Sequence, residues 1–313
     1  MRYVWSAVGI LLSAVAVYYF AAFLPPNLTQ QLGAHGVVFL AGAAVLVPAY
    51  VIRAFKSWLI LNEPEKGVGA IAGSLYASIA LNNALPFRLG DVLRLFYLRT
   101  VLGIGLAKAT AALLIERVVD LFMILALFVL AAGIILRGEV YGFLSVVFAG
   151  VRPIYLVAGV VAVLLGVAVL FAFRRLAYRH VWPIIAEIDP SWTRFGLLLC
   201  AALLQWLLEI IALGWLTAAL LPQVPHGQAV LSAFMSNLST LVPSAPGYVG
   251  TFEVAGILPF KLLGGQVTEI QALYVLLYHL VIWAFSTGLG LIAGIWLLLV
   301  RWMAKPSQRV EQV

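Results

Sequence analysis

Runs of about twenty apolar residues recur along this chain, and that alone closes off most folds. A hydrocarbon core about 30 Å thick is crossed by about 20 helical residues. Stretches of that order occur at Val4–Leu24, Val37–Ile60, Ala109–Leu136, Ile154–Phe173, Phe195–Leu221 and Ala272–Val300. The runs are continuous rather than alternating, which excludes a membrane β-barrel. Composition agrees: 64% of the residues are hydrophobic and 10% charged, against about 25% charged in soluble domains. The sequence therefore predicts an all-α, polytopic integral membrane protein, with one membrane domain over residues 1–313. The first run is longer than a signal-peptide core and has no clear small-residue cleavage site near Leu24-Pro25-Pro26, so it reads as a retained helix.

Two regions, 67–98 and 228–263, interrupt this pattern at what should be membrane depth. Their centres are Asn82-Asn83-Ala84-Leu85-Pro86-Phe87-Arg88-Leu89-Gly90-Asp91 and Leu241-Val242-Pro243-Ser244-Ala245-Pro246-Gly247-Tyr248-Val249-Gly250. In each, a proline is followed four residues later by a glycine: Pro86 and Gly90, Pro243 and Gly247. The apolar halves on either side are about 15 residues, roughly 23 Å of helix, short of a full crossing. A helix that enters, breaks and returns fits better, giving about six spanning helices plus two re-entrant helical hairpins. Two full crossings per region would keep the same charge bias, so re-entry rests on segment length.

With both hairpins re-entrant and the N-terminus inside, nearly all lysines and arginines fall on the cytoplasmic side. Arg137, Arg152 and Lys261 fall outside, and Arg117 lies within the membrane. This predicts a multi-pass protein of the cell (inner) membrane with cytoplasmic N- and C-termini. Helix, hairpin and helix then recur as pseudo-repeats 37–136 and 195–300, starting on opposite sides. Such inverted repeats with interrupted helices are a transporter architecture. Residues 174–194, rich in arginine, read as a cytoplasmic interfacial linker beside anionic headgroups.

The rest of the composition narrows the chemistry. The single cysteine, Cys200, rules out an internal disulfide or a thiolate cluster, and the four histidines have no metal-ligand spacing. Neither a cofactor nor a metal is expected. The net charge of +7 sits mostly beside apolar helices, so it points to membrane surface, not nucleic acid. No nucleotide-binding loop is present, which leaves a gradient, or the substrate's own concentration difference, as the driving force.

Unwound backbone at membrane depth is tolerated where protein or water covers it, so both breaks are expected to line a cavity. The returning half-helices would aim their positive dipole ends there, a setting suited to an anion. Arg88 and Arg94 add full charges near the first break; the alternative is that they, with Arg99, simply follow the inside-positive bias. Asn82 and Asn83 either cap the broken helix or touch ligand. Pro86, Gly90, Pro243, Pro246, Gly247 and Gly250 are the structural breaks. Glu116, Arg117 and Asp120, two turns into an apolar helix, are either functional by reason of their depth or a self-neutralising network in which Arg117 reaches Asp120. Glu253 follows the second break and could complement Arg94 or Arg117. Glu209, beside Gln205, reads as a proton-coupling group or an interhelical hydrogen bond, and His279 as a core histidine or a partner of the same site.

Taken in order, Asn82-Asn83-x-x-Pro86-x-Arg88-x-Gly90-Asp91-x-x-Arg94, Glu116-Arg117-x-x-Asp120 and Pro243-x-x-Pro246-Gly247-x-x-Gly250-x-x-Glu253 resemble the lysylphosphatidylglycerol synthase transmembrane-region family. That resemblance covers nearly the whole chain. It implies a membrane domain with re-entrant hairpins that moves a lipid between leaflets. In fused members a synthase domain makes aminoacyl-phosphatidylglycerol; this sequence has none, so aminoacyl transfer is not expected.

The leading reading is a lipid transporter or flippase moving an anionic, aminoacylated or otherwise headgroup-modified lipid, rather than an enzyme. Arg88, Arg94 and Arg117 would bind phosphate. Asp91, Glu116, Asp120 and Glu253 would pair those arginines or take a cationic headgroup, with Asn82 and Asn83 beside them. A membrane lipid is thus the expected partner, together with a second copy of the chain or a separate lipid-modifying enzyme. The alternative is a membrane-embedded transferase, or an accessory subunit, acting on a lipid-linked glycolipid.

Overall fold

The computed structural model of the chain describes residues 15, 17–85, 88–136, 191–219, 221, 223–240 and 245–303. The sequence-predicted span 154–173, most of the span 4–24 and of the linker 174–194, and Pro86 and Pro243 lie outside the described residues. The described residues form helices and turns, with no strand among them. The elements are α1 (Leu28–Ala34), α2 (Gly36–Leu61), α3 (Val68–Ala84), α4 (Leu89–Thr100) and α5 (Leu106–Leu136), then α6 (Trp192–Trp206), α7 (Leu213–Ala219), α8 (His226–Ser239), α9 (Thr251–Gly264) and α10 (Glu269–Met303). A π-helical turn, Leu207–Ala212, joins α6 to α7 without a break.

Among the described residues, four helices are long and apolar enough to cross a membrane: Gly36–Leu61, Leu106–Ile135, Trp192–Ala219 and Glu269–Val300. They match four of the six predicted spans to within three residues at each end. α5 shows why such helices form. Leu114, Val118, Leu121, Phe122, Leu125 and Val129 make one exposed stripe, while Ala109, Ala112, Leu113, Met123, Ile124 and Leu127 on other faces are buried. An all-round apolar helix of this kind is at home in lipid, with its small-residue face turned inward. α2 stops at Asn62, whose left-handed conformation (φ 50°) lets its N–H bond back to the Trp58 carbonyl at 3.1 Å.

Between the long helices lie two pairs of short ones. α3 and α4 flank the first sequence break; α8 and α9 flank the second. They have 17, 12, 14 and 14 residues. Within each pair the arms pack closely on one another. The first arm of each pair also crosses to the other half of the chain. α3 makes its most extensive contact with α10, and α8 packs on α5. The α3–α10 approach is close enough that a Cβ on Gly290 would lie 2.5 Å from that of Ala80. α2 and α6, the opening helices of the two halves, pack directly together. The core runs through this junction, with Leu46, Ile71, Leu98, Ala202, Ile210, Phe234, Ile257 and Tyr278 almost wholly buried.

Candidate functional site

The two sequence breaks meet. α3 ends in the extended residue Leu85, and α4 restarts behind Arg88, which adopts a left-handed conformation with φ 53°. On the other side a short turn, Pro246–Tyr248, carries Gly247 (φ 65°) and Tyr248 (φ 60°) ahead of α9, with Gly250 (φ 88°) as its cap. Among the described residues three non-glycines have positive φ, and two of them, Arg88 and Tyr248, face each other across the breaks. The Arg88 guanidinium lies 5.7 Å from the Tyr248 ring centre and donates to the Thr240 carbonyl at 2.7 Å. Strained backbone persists only where its surroundings over-determine it, and it concentrates at functional sites.

Close approach explains the glycines here. A Cβ on Gly247 would sit 2.7 Å from Trp283 Nε1 and 3.4 Å from the Asn83 carbonyl oxygen. One on Gly90 would overlap the Ser78 carbonyl and lie 2.9 Å from the Asn82 nitrogen. Asn83 fastens the first break to α10, donating through Nδ2 to Ser286 Oγ at 2.9 Å and Thr287 Oγ1 at 2.8 Å.

A cavity of about 990 Å³, counting its open mouth, lies where the breaks meet. From the first half, α2 lines it with Tyr50 and Arg53, α3 with Ile79, Asn82 and Asn83, and α5 with Arg117, Asp120, Leu121 and Ile124; Arg88 stands at the start of α4. The second half supplies Trp206, Glu209, Asn237, Leu238, Thr240, Gly247, Tyr248, Phe252, His279, Ile282, Trp283 and Ser286. Charged groups thus share the wall with aromatic and aliphatic ones.

Of the residues singled out from sequence, Asn82, Asn83, Arg88, Arg117, Asp120, Glu209, Gly247 and His279 line this cavity. Asp91 stands just behind, accepting from Asn82 Nδ2 at 3.0 Å and lying 3.7 Å from Arg117 Nη2. Arg117 thus pairs with the first break and not with Asp120 one turn along its own helix. Asp120 instead accepts from Lys56 and, at 3.3 Å, from Trp206 Nε1. Glu253 accepts the Gly250 N–H at 2.7 Å, capping α9, and its other oxygen lies 2.5 Å from His279 Nδ1. Arg94 and Glu116 are placed elsewhere. Arg94 has no exposed side-chain surface, clamps Glu116 with two hydrogen bonds of 2.9 and 3.1 Å, and donates to Ser57.

The charge pattern of the wall follows from these pairs. Arg53 lies 3.8 Å from Glu209, Arg117 is matched with Asp91, and Asp120 with Lys56. Among the described residues no carboxylate stands within ion-pair distance of Arg88. Among the described residues, a carbonyl and a ring face hold this guanidinium.

Arg53 and Lys56 are cavity or near-cavity residues that a reading of charge bias alone assigns to the membrane surface. Arg53 lies about two turns before the end of α2, and that depth was the available signal. Glu209 sits in the π-helical turn, where Gln205 Nε2 donates to it at 3.1 Å and Tyr278 OH donates to its backbone carbonyl at 3.1 Å. Such turns recur at functional sites, but nothing local in Leu207–Ala212 announces one. Trp206 and Trp283 also escaped, since tryptophan spacing in an apolar helix does not distinguish a cavity wall from packing.

Comparison with known proteins places this arrangement in context. The family model described as the lysylphosphatidylglycerol synthase TM region matches residues 6–290. The protein named glycosyltransferase AglD, from Haloferax volcanii, is 25% identical over 300 residues, covering 81% of this chain and 48% of that protein. The chain therefore spans about half the length of that curated relative. No solved structure matches it.

Proposed function

The chain belongs to the family of the lysylphosphatidylglycerol synthase transmembrane region, and on that premise we propose that this multi-pass membrane protein moves a phosphate-bearing lipid between leaflets. The observation that carries the reading is Arg88: a guanidinium without a carboxylate among the described residues, at the junction of two helix breaks, on a cavity wall. The phosphate would sit against Arg88 and the amino end of α4, where unpaired N–H groups and the helix dipole favour negative charge. Arg117 and Arg53, each at loose ion-pair distance from its carboxylate, would turn toward it. Acyl chains would remain in lipid beyond the cavity mouth.

On this reading the short helix pairs are re-entrant hairpins. Their arms measure about 25, 18, 21 and 21 Å at 1.5 Å per residue, below a hydrocarbon core of about 30 Å. Residues 37–136 and 195–300 are inverted repeats. What supports this is the exchange of first arms, α3 onto α10 and α8 onto α5, and the direct packing of α2 on α6. The termini are cytoplasmic, and rocking of one repeat against the other switches access to the cavity. Arg94 and Glu116 would set the first hairpin in place from behind the cavity.

The name of the Haloferax relative favours a second reading, a transferase or accessory subunit acting on a lipid-linked sugar. Proteoliposomes separate the two. The purified chain, reconstituted with headgroup-labelled phosphatidylglycerol, is expected to move label between leaflets, and Arg88→Gln to slow it about 10- to 100-fold, the worth of a hydrogen bond to a charged group. Movement no faster than in protein-free vesicles sinks the transport reading. A covalently altered lipid formed without movement replaces it with the transferase.

A further inference from the structure

We infer that His279 and Glu253 form a proton-binding site that couples proton uptake to phosphate binding in the cavity. The inference rests on the lipid-phosphate reading above and adds a second, co-bound species. Three features of the pair carry it. His279 lines the cavity, is only 6% exposed, and is held between the Glu253 carboxylate and the Phe252 ring, stacked on it at 4.1 Å. Glu253, 4% exposed, spends its second oxygen on the Gly250 N–H at the very start of α9. And the pair closes an otherwise balanced set of charges.

Among the described residues, the charged groups on and just behind the cavity wall can be counted against one another. From α2, Arg53 is matched by Glu209 of the π-helical turn. From α5, Arg117 is matched by Asp91 and Asp120 by Lys56. The tyrosines Tyr50 and Tyr248 carry no charge in the protonated form. What remains is Arg88, positive, and Glu253, negative, with an imidazole between neutral and cationic. When His279 is neutral, Glu253 offsets Arg88 and the site has no net charge to offer an anion. When His279 binds a proton from water, its charge satisfies Glu253 and leaves Arg88 uncompensated. A phosphate then enters a net cationic cavity. Imidazole is the side chain whose charge changes in the physiological range, and charges in a site of this depth act on each other with little screening. By linkage, a ligand that prefers the protonated cavity also raises the proton affinity of His279 to the same degree. Proton and phosphate therefore load together and leave together, which would let a proton gradient drive the lipid.

The test uses the full chain in detergent and dihexanoyl-phosphatidylglycerol, a phosphodiester whose own charge is constant across the range. Calorimetry in buffers of different ionisation enthalpy reads affinity and protons taken up together. Affinity should fall about tenfold between about pH 5.5 and 8, with net proton uptake on binding. His279→Gln should bind weakly at every pH, because Glu253 then always offsets Arg88. Glu253→Gln should bind tightly at every pH, because nothing does; the amide can still cap Gly250. Opposite effects of the two variants support the inference, since a merely structural pair would be weakened alike by both. Wild-type affinity independent of pH, dependence retained in His279→Gln, or both variants weakened overturns the coupling and leaves the lipid reading standing. Absence of binding by the wild-type chain at any pH overturns both.

Discussion

The two hairpins meet at one cavity but are fastened by different chemistry. The first is held by charge. Arg94 in α4 is clamped to Glu116 of α5 and Ser57 of α2, and Asp91 faces Arg117. The second is held by short neutral hydrogen bonds between its own arms: Ser232 Oγ to the Gly256 carbonyl at 2.6 Å and Ser236 Oγ to the Phe252 carbonyl at 3.1 Å. Each arm also reaches α10, Asn237 donating to Tyr278 OH at 2.9 Å and Glu253 meeting His279 Nδ1 at 2.5 Å. Two ion pairs to α5 and a hydrogen bond to α2 fix where the first hairpin stands. Bonds within the second fix its shape, and its ties outward run to α10. On the proposed function this difference would divide the labour, the first hairpin holding the phosphate and the second being the wall that shifts.

The largest effect should follow from breaking the charge clamp. Arg94→Ala leaves the Glu116 carboxylate buried without its partner, and removing one member of a buried pair costs about 3–5 kcal/mol. The variant is expected to lose most of its thermal stability in detergent and to accumulate poorly. Replacing both partners together with apolar residues should recover a good part of that loss. If Arg94→Ala folds normally and loses only lipid binding, the clamp is a ligand site and the contrast between the hairpins collapses.

A smaller effect is expected on the second hairpin. Gly256 in α9 lies against α8 and α10: a Cβ there would overlap Ser236 Oγ and stand 2.6 Å from Val275 Cγ1. Valine has little rotamer freedom with which to retreat, so overpacking of about 1–3 kcal/mol is the expected cost of Gly256→Ala. Because the second hairpin is proposed to be the wall that shifts, the change should appear as slower lipid movement with headgroup binding nearly intact. Equal losses of movement and binding would instead make the second hairpin as fixed as the first.

How much of this was legible in the sequence varies with the physics involved. Hydropathy located α2, α5, the α6–α7 helix and α10, because a long apolar run has one stable outcome in lipid. The proline–glycine punctuation located both breaks, because Gly247 and Gly90 stand where a side chain does not fit. Partners were not legible. Lys56 looks like an inside-positive residue and is 2% exposed, paired with Asp120 64 positions away. Arg94 looks as available as Arg88, six positions earlier, yet one is closed by a carboxylate and the other open. Hydropathy records depth along a chain; which side chain waits at that depth on another helix is set by tertiary packing.

The smallest effect tests whether charge alone, or buried charge, secures the first hairpin. Glu63 precedes α3 and pairs with Lys108 at the start of α5, at the edge of the apolar region, with both side chains partly exposed. Partial burial opposes the charge on Glu63. A hydrogen bond shared with Glu65 and the Lys108 ammonium outweigh it and hold the carboxyl below its usual range. A carboxyl depressed in the folded state contributes stability above the ordinary carboxylate value of about 4.3 and loses it as the pH falls through the folded value. Exposed pairs are worth at most about 1 kcal/mol, so Glu63→Gln should lower the melting temperature slightly at pH 7, with the gap to the wild type shrinking below about pH 4. A loss as large as that of Arg94→Ala, or one that persists undiminished in acid, would mean that the hairpin is anchored at its edge, and that the buried clamp is not what distinguishes it from its counterpart.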